Sequence, residues 1–142
     1  MRPLPTIGLA LLAAACGSGP RIGNQVQNRV ALGPTFYSIQ VNVLTPACAT
    51  TSCHSGNPPP NAPLSLDADR AYQELVGKTS SQTPLLLVNP GDPEASYFLQ
   101  KILGTAGSSG GVWTRMPIGA PPLSADEIDA IQTWIANGAQ ND

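Results

Sequence analysis

The sequence predicts an all-α domain with long loops rich in proline and glycine, and three observations support this. Apolar residues recur at helical spacing in several segments, and helix-capping residues precede some of them. Between these segments lie many of the 15 prolines and 14 glycines, which favour turns and irregular chain. With only 5% aromatic residues, the chain has few large side chains for a dry core. We therefore expect a disulfide, a metal or a cofactor to stabilise it.

The first helix is predicted over residues 35–44, where four apolar residues approximate helical spacing: Phe36, Ile39, Val43 and Leu44. Because some of these are β-branched, a strand is the alternative. Pro46 is expected to end the element, since proline disrupts a helix interior.

A second, short helix is predicted over residues 68–76, capped by Asp67 and ended by Gly77. The three prolines at 58–60 precede it and impose an extended segment that lacks backbone donors.

The third helix is expected to begin at Pro93, with Asp92 as its cap, and to end at Gly104. Its apolar side consists of Tyr97, Phe98, Leu99 and Ile102. We expect residues 104–111 to form a flexible loop and residues 112–122 to be irregular because of their prolines.

The last helix has the clearest pattern. Ser124 and Glu127 form a predicted capping box at its start, and Gly138 ends it. Its apolar face consists of Ile128, Ile131, Trp134 and Ile135.

The N-terminus predicts export. Residues 1–15 combine a basic residue, a short apolar run and small residues, and they resemble a bacterial lipoprotein signal that ends before Cys16. Cys16 is then the lipidated first residue, and residues 16–34 form an anchor and flexible tether to a folded domain at 35–142. The alternative is an ordinary signal peptide that leaves a free cysteine. Gly17, rather than aspartate, favours the outer membrane over the inner one.

The charge balance excludes a nucleic-acid partner. The chain has seven Lys and Arg and nine Asp and Glu, and removal of Arg2 with the signal leaves six against nine, a net charge of −3. Phosphate recognition needs a basic surface instead.

The segment from Cys48 to Cys53 and His54 carries the chemistry. A histidine directly after the second of two nearby cysteines is the layout of covalent haem c attachment, in which two thiols bond to the vinyl groups and the imidazole binds iron. Four residues separate the cysteines instead of the usual two. The two extra residues must bulge outward if a thioether at Cys48 is to form as well as the one at Cys53.

Met116 is the candidate sixth ligand of the iron. His54 is the only histidine, so two-histidine ligation within one chain is impossible, and Met116 is the only methionine after the signal. A thioether ligand favours reduced iron and raises the reduction potential. The alternative is that Met116 fills a gap in the core.

The order of the motifs resembles a known family. After the Cys48–His54 site come LSL at 64–66, VNPGDP at 88–93, SYFL at 96–99, RMP at 115–117, PLS at 122–124 and IQTWIANGA at 131–139. This order is similar to the cytochrome c domains of exported planctomycete and myxobacterial proteins, a branch of the class I mono-haem cytochromes c. The resemblance implies a class I cytochrome c-like helical domain wrapped around one haem, with the first and last helices crossing and Met116 opposite His54.

Supporting roles follow for neighbouring groups. The ring nitrogen of His54 that does not bind iron should donate to a backbone carbonyl, with residues 58–60 as candidates. Trp113 and Arg115 flank Met116 and are predicted to meet the haem propionates; the alternatives are core packing for Trp113 and a solvated charge for Arg115. Trp134 is expected to be a core residue between helices rather than an electron conduit.

The expected function is electron transfer with unidentified redox partner proteins, at the periplasmic or outer face of a membrane, and not catalysis. Three alternatives remain open. Cys48 and Cys53 form a disulfide in a surface lipoprotein without haem; Cys48, Cys53 and His54 bind zinc with Asp67 or Asp69; or the haem has an open sixth position and acts as a peroxidase.

Overall fold

The computed structural model describes residues 30–58 and 63–142, and this part of the chain is helical. Helix α1 spans Phe36–Ile39 and continues directly into a π-helix over Gln40–Cys48. Three further α-helices follow at Ala71–Leu75 (α2), Tyr97–Leu103 (α3) and Ala125–Ala136 (α4), with a short 3₁₀-helix at Ala106–Ser109. The described residues contain no strand, and only two isolated β-bridges join Val76 to Val88 and Thr79 to Leu86. The class I cytochrome c assignment stays a prediction.

The first helical segment begins as the sequence predicts and ends later. Thr35 caps α1, its hydroxyl accepting a hydrogen bond from the Ser38 amide at 3.2 Å. The prediction that Pro46 ends the element is wrong, because Pro46 lies inside the π-helix. The wider turn bonds amides to carbonyls five residues back, as the Ala49 amide does with Leu44 at 2.7 Å, and it accommodates the proline before the chain turns away.

The second and third helices are shorter than predicted. Helix α2 begins at Ala71, and the Asp67 side chain does not cap it. Helix α3 begins at Tyr97 rather than Pro93, because the extended backbone of Ser96 (φ −95°, ψ 109°) separates the helix from the turn in which the Asp92 carboxylate accepts from the Ala95 amide. Gly104 ends α3 in the left-handed conformation, with φ of 77°. The 3₁₀-helix then occupies part of the predicted loop at 104–111.

Helix α4 confirms its prediction closely. The Ser124 hydroxyl accepts from the Glu127 amide, and the Glu127 carboxylate accepts from the Ser124 amide at 2.7 Å, which completes the capping box. Gly138 follows the last turn with φ of 95°. Ile131, Trp134 and Ile135 are buried, whereas Ile128 is partly exposed at the edge of the core.

The two ends of the domain pack together around Trp134. Helices α1 and α4 are in contact, and the rings of Phe36 and Trp134 lie 5.5 Å apart. The ring of Tyr72 packs edge-on against Phe36 at 5.1 Å, and the Trp134 indole donates to the Gln140 carbonyl at 2.8 Å. Trp134 is thus the interhelix core residue that the sequence predicts.

The core is larger than the low aromatic content indicates. Aliphatic side chains supply most of it, and its buried members besides Trp134 are Phe36, Ile39, Val43, Leu44, Leu66, Ala71, Leu75, Val88, Phe98, Leu99, Ile102, Leu123, Ile131, Ile135 and Ala139. The expectation that a disulfide, a metal or a cofactor stabilises the chain stays a prediction.

In residues 30–58 and 63–142, no helix has the length and apolar character needed to cross a membrane. The predicted signal at 1–15, the lipidation site Cys16 and most of the tether lie outside the described residues.

Candidate functional site

The segment from Cys48 to His54 forms one closed loop. The π-helix ends at Cys48, whose carbonyl accepts from the His54 amide at 3.3 Å. Inside this loop the Cys53 amide donates to the Thr50 carbonyl at 2.9 Å. The three residues at 50–52 are exposed, so the extra length between the cysteines bulges outward. The structure thus places Cys48, Cys53 and His54 in one short hydrogen-bonded loop.

The two thiols of this loop differ in environment. Both are free in the structure, Cys48 half-buried and Cys53 exposed. The pKa of the Cys48 thiol is raised to about 11, chiefly by burial and in smaller part by the neighbouring Cys53 and the Glu127 carboxylate. At neutral pH Cys48 is therefore a protonated thiol rather than a reactive thiolate.

The ring of His54 is held by the chain that returns beside it. Its Nδ1 lies 2.8 Å from the Leu64 carbonyl oxygen, and because a carbonyl only accepts, Nδ1 carries the proton. In the neutral ring the Nε2 lone pair is then free to bind a metal. The partner is Leu64 rather than residues 58–60, because the chain after the prolines runs back along the loop: the Leu66 amide also donates to the His54 carbonyl, at 2.7 Å.

Asp67 joins the returning chain to the loop after His54. Its Oδ2 accepts from the Gly56 amide at 2.7 Å and from the Ser65 hydroxyl at 3.1 Å. Hydrogen bonds from the Ser55 hydroxyl, the Gly56 amide and Ser65, with the positive charge of Arg70, lower the pKa of Asp67. The sequence predicted Asp67 as a helix cap, so this brace was missed. Its only signal was an acidic residue a short distance after the Cys-His pair.

Met116 lies in a second loop, which α3 holds in place. Met116 is half-buried, and its amide donates to the Lys101 carbonyl at 2.9 Å. The Lys101 amine donates to the carbonyls of Val112, at 3.1 Å, and of Thr114. The sequence analysis missed Lys101. The available signal was a lysine three residues after Phe98 and directly before Ile102, which places a charged residue on the apolar face of α3.

Neither of the alternatives for the residues beside Met116 holds: Arg115 is not a solvated charge, and Trp113 is not a core residue. The Arg115 guanidinium donates to the carbonyls of Met116 and Ala120, both at 3.3 Å, and so closes the turn that follows Met116. Trp113 is 66% exposed, which contradicts the alternative that it packs in the core. Its indole lies against Gly107, where an added Cβ would approach a ring carbon to 1.9 Å, so only glycine fits beneath the ring.

Large apolar side chains are exposed on both sides of Met116. Val112 is 51% exposed, and Trp113 and Ile118 are each 66% exposed. Such a concentration of exposed apolar surface in one loop is typical of a binding site. The donor types of the two loops, two thiols, an imidazole and a thioether, are those that covalent haem attachment uses.

No hydrogen bond joins the Cys48–His54 loop, with residues 48–56, to the Met116 loop, with residues 111–123, in the part of the chain that the structure describes. Their common neighbour is the start of α4, where Glu127 lies near enough to Cys48 to affect its pKa. Across the same residues, no three His, Cys, Asp or Glu side chains are grouped as ligands of one metal ion, and Asp67, a candidate zinc ligand, serves as the brace instead.

Comparison with known proteins adds no relative. Searches with this chain against protein-family models, curated proteins and solved structures found no match. The resemblance to cytochrome c domains therefore rests on the sequence motifs alone, and the description of the site rests on the structure alone.

Proposed function

We propose that this protein is an electron carrier that binds one haem c covalently through Cys48 and Cys53, with His54 and Met116 as the iron ligands. When bound, the haem supplies reversible one-electron chemistry at its iron. The observation that carries the proposal is the hydrogen bond from His54 Nδ1 to the Leu64 carbonyl, because it orients the ring and leaves Nε2 for the metal.

On the His54 side, the protein fixes the orientation and basicity of the imidazole. A hydrogen bond from the ring nitrogen that does not bind the metal to a backbone carbonyl selects the tautomer and increases electron donation to the metal. The Leu66 and Asp67 contacts hold the same segment from both ends. The protein itself therefore fixes the orientation of the imidazole. A fixed ligand would favour fast electron transfer, because the site would rearrange little when the charge of the iron changes.

On the Met116 side, the chain offers a neutral thioether, which as an iron ligand would favour the reduced form and raise the reduction potential. The chain has no second histidine to act as an acid or base during peroxide cleavage. These features support an electron carrier with a filled sixth position over an enzyme of the peroxidase type.

The proposed setting is outside the cytoplasm. The signal at residues 1–15 and the lipid anchor on Cys16 would tether the domain to a membrane, facing the periplasm or the cell exterior, with the outer membrane favoured by Gly17. The proposed partners are redox proteins, which would dock on the exposed apolar side chains of the Met116 loop, Val112, Trp113 and Ile118.

Absorption spectra of the exported protein test the axial ligands. The oxidised wild type should show the weak thioether-to-iron charge-transfer band, and Met116→Ala should abolish it, because alanine leaves the sixth position without sulfur. Ile118→Ala, an exposed neighbour in the same loop, is the control and should retain the band. A band that persists in Met116→Ala would contradict the assignment of this residue. A wild type with an open sixth position would favour the peroxidase alternative.

A further inference from the structure

Lys101 is a buried lysine with an unusual set of partners. It is only 9% exposed, on the face of α3 that also buries Phe98 and Ile102. No acidic side chain pairs with it in the described residues; the amine is instead directed at the carbonyls of Val112 and Thr114. Burial of a charged amine is unfavourable unless its donors are satisfied, and here the backbone carbonyls of one loop satisfy them.

The main chain of Lys101 contacts the same loop. The last carbonyls of a helix have no partner within the helix, and Lys101 lies in the final turn of α3. Its carbonyl accepts from the Met116 amide at 2.9 Å. One residue thus binds the backbone at three positions of the loop, at residues 112, 114 and 116, and the last of these is the proposed iron ligand.

Apart from Lys101, the loop is held by the packing of Trp113 on Gly107 and by the hydrogen bonds of Arg115. Residues 112–115 have no regular secondary structure, and the side chains of Val112 and Trp113 are exposed. Backbone groups of irregular chain need partners to adopt one conformation, and a fixed amine supplies two of them. A cation in the last turn of a helix is also favoured by the helix dipole, which helps to keep the amine in place.

We propose that Lys101 is the positioning residue for Met116: it fixes the loop so that the thioether is presented to the iron and competing ligands are excluded. The inference rests on the proposed function, since it assigns a role toward the same ligand. Without the amine, the loop samples conformations in which Met116 is withdrawn, and an external ligand then binds the iron in proportion to that fraction.

Lys101→Met tests this in the haem-loaded protein, because it keeps the length and apolar stem and removes the donors. Lys78→Met is the matched control, since Lys78 is the other lysine of the chain and is exposed. We expect imidazole to displace the thioether about tenfold more readily in Lys101→Met, given the loss of charge-assisted hydrogen bonds. The charge-transfer band should also disappear at a lower urea concentration than the helical circular dichroism signal does. Lys78→Met should behave as wild type in both measurements.

Hydrogen exchange of the wild type provides a readout that does not depend on the variant folding. The Met116 amide should be protected to the same degree as amides of α3, because it is bonded to that helix. Exchange at the rate of free loop amides would overturn the inference. So would an imidazole affinity in Lys101→Met equal to that of Lys78→Met. A wild type that binds haem without a thioether ligand would overturn the proposed function and this inference together.

Discussion

The two loops that present the proposed iron ligands are built in different ways. The His54 loop is held by residues close in sequence: Leu64, Leu66 and Asp67 return beside it after one proline-rich excursion. The Met116 loop is held from a separate helix by the amine and the carbonyl of Lys101, with Trp113 packed on Gly107 and Arg115 closing its far end. The first loop is therefore supported by several residues that follow it in sequence, and the second depends largely on one residue of α3.

This difference indicates an order of stability within the site. Losing any one contact leaves the His54 loop with others, whereas losing the Lys101 amine frees the carbonyls of Val112 and Thr114 together. We infer that the methionine side opens before the histidine side when the protein is perturbed, as local openings generally begin where buried contacts are few.

The largest loss of stability should come from a substitution in the core between α1 and α4. Trp134 is 2% exposed and packs between α1 and α4, so Trp134→Ala should lower the free energy of unfolding by about 3–5 kcal/mol through the cavity it leaves. Both loops should then open together rather than in sequence. Urea unfolding followed by circular dichroism and by the haem spectrum measures this directly.

Trp113 is the matched control for that experiment, being the other tryptophan and 66% exposed. Trp113→Ala should change the unfolding free energy by less than about 0.5 kcal/mol, as is usual for surface substitutions. Equal losses for the two tryptophans would show that the main support of the fold lies elsewhere.

A smaller effect, confined to the His54 side, is expected from Asp67→Asn. The pKa of Asp67 is lowered in the folded protein from an ordinary value of 3.8, so its carboxylate stabilises the fold above that pH. The stabilisation is lost as the pH falls below 3.8 and through the lowered pKa. The variant should therefore melt at a lower temperature than wild type at neutral pH, and the gap should close toward acid.

Asp69→Asn serves as the comparison, because Asp69 is exposed and makes only a long ion pair with Arg70, at 3.9 Å. Its melting temperature should follow the wild type across the pH range. A difference between Asp67→Asn and wild type that stays constant down to low pH would mean that the carboxylate charge is not what braces the loop.

Local signals in the sequence predicted some of this structure well. The capping box of Ser124 and Glu127 located α4 to the residue, because both partners lie within one turn of each other. The adjacency of Cys53 and His54 likewise marked the loop that the structure closes. Where a feature depends on residues that are close in sequence, the residue types were sufficient to predict it.

Features that depend on distant contacts were not predictable in the same way. Asp67 and Asp92 both precede helical patterns, yet each side chain is engaged in a turn or brace instead of a helix cap. Pro46 was expected to break a helix that widens to include it. The role of Lys101 requires knowing that residues 112–116 fold back onto α3, which no short pattern shows.

The central claim is tested most directly by the intact mass of the protein, denatured after export from a host that matures cytochromes c. We predict a mass increase of one haem that survives denaturation, is retained in part by Cys48→Ser, and is lost from the double variant Cys48→Ser/Cys53→Ser. An unmodified, colourless polypeptide from the wild-type sequence would contradict the assignment of this chain as a haem protein.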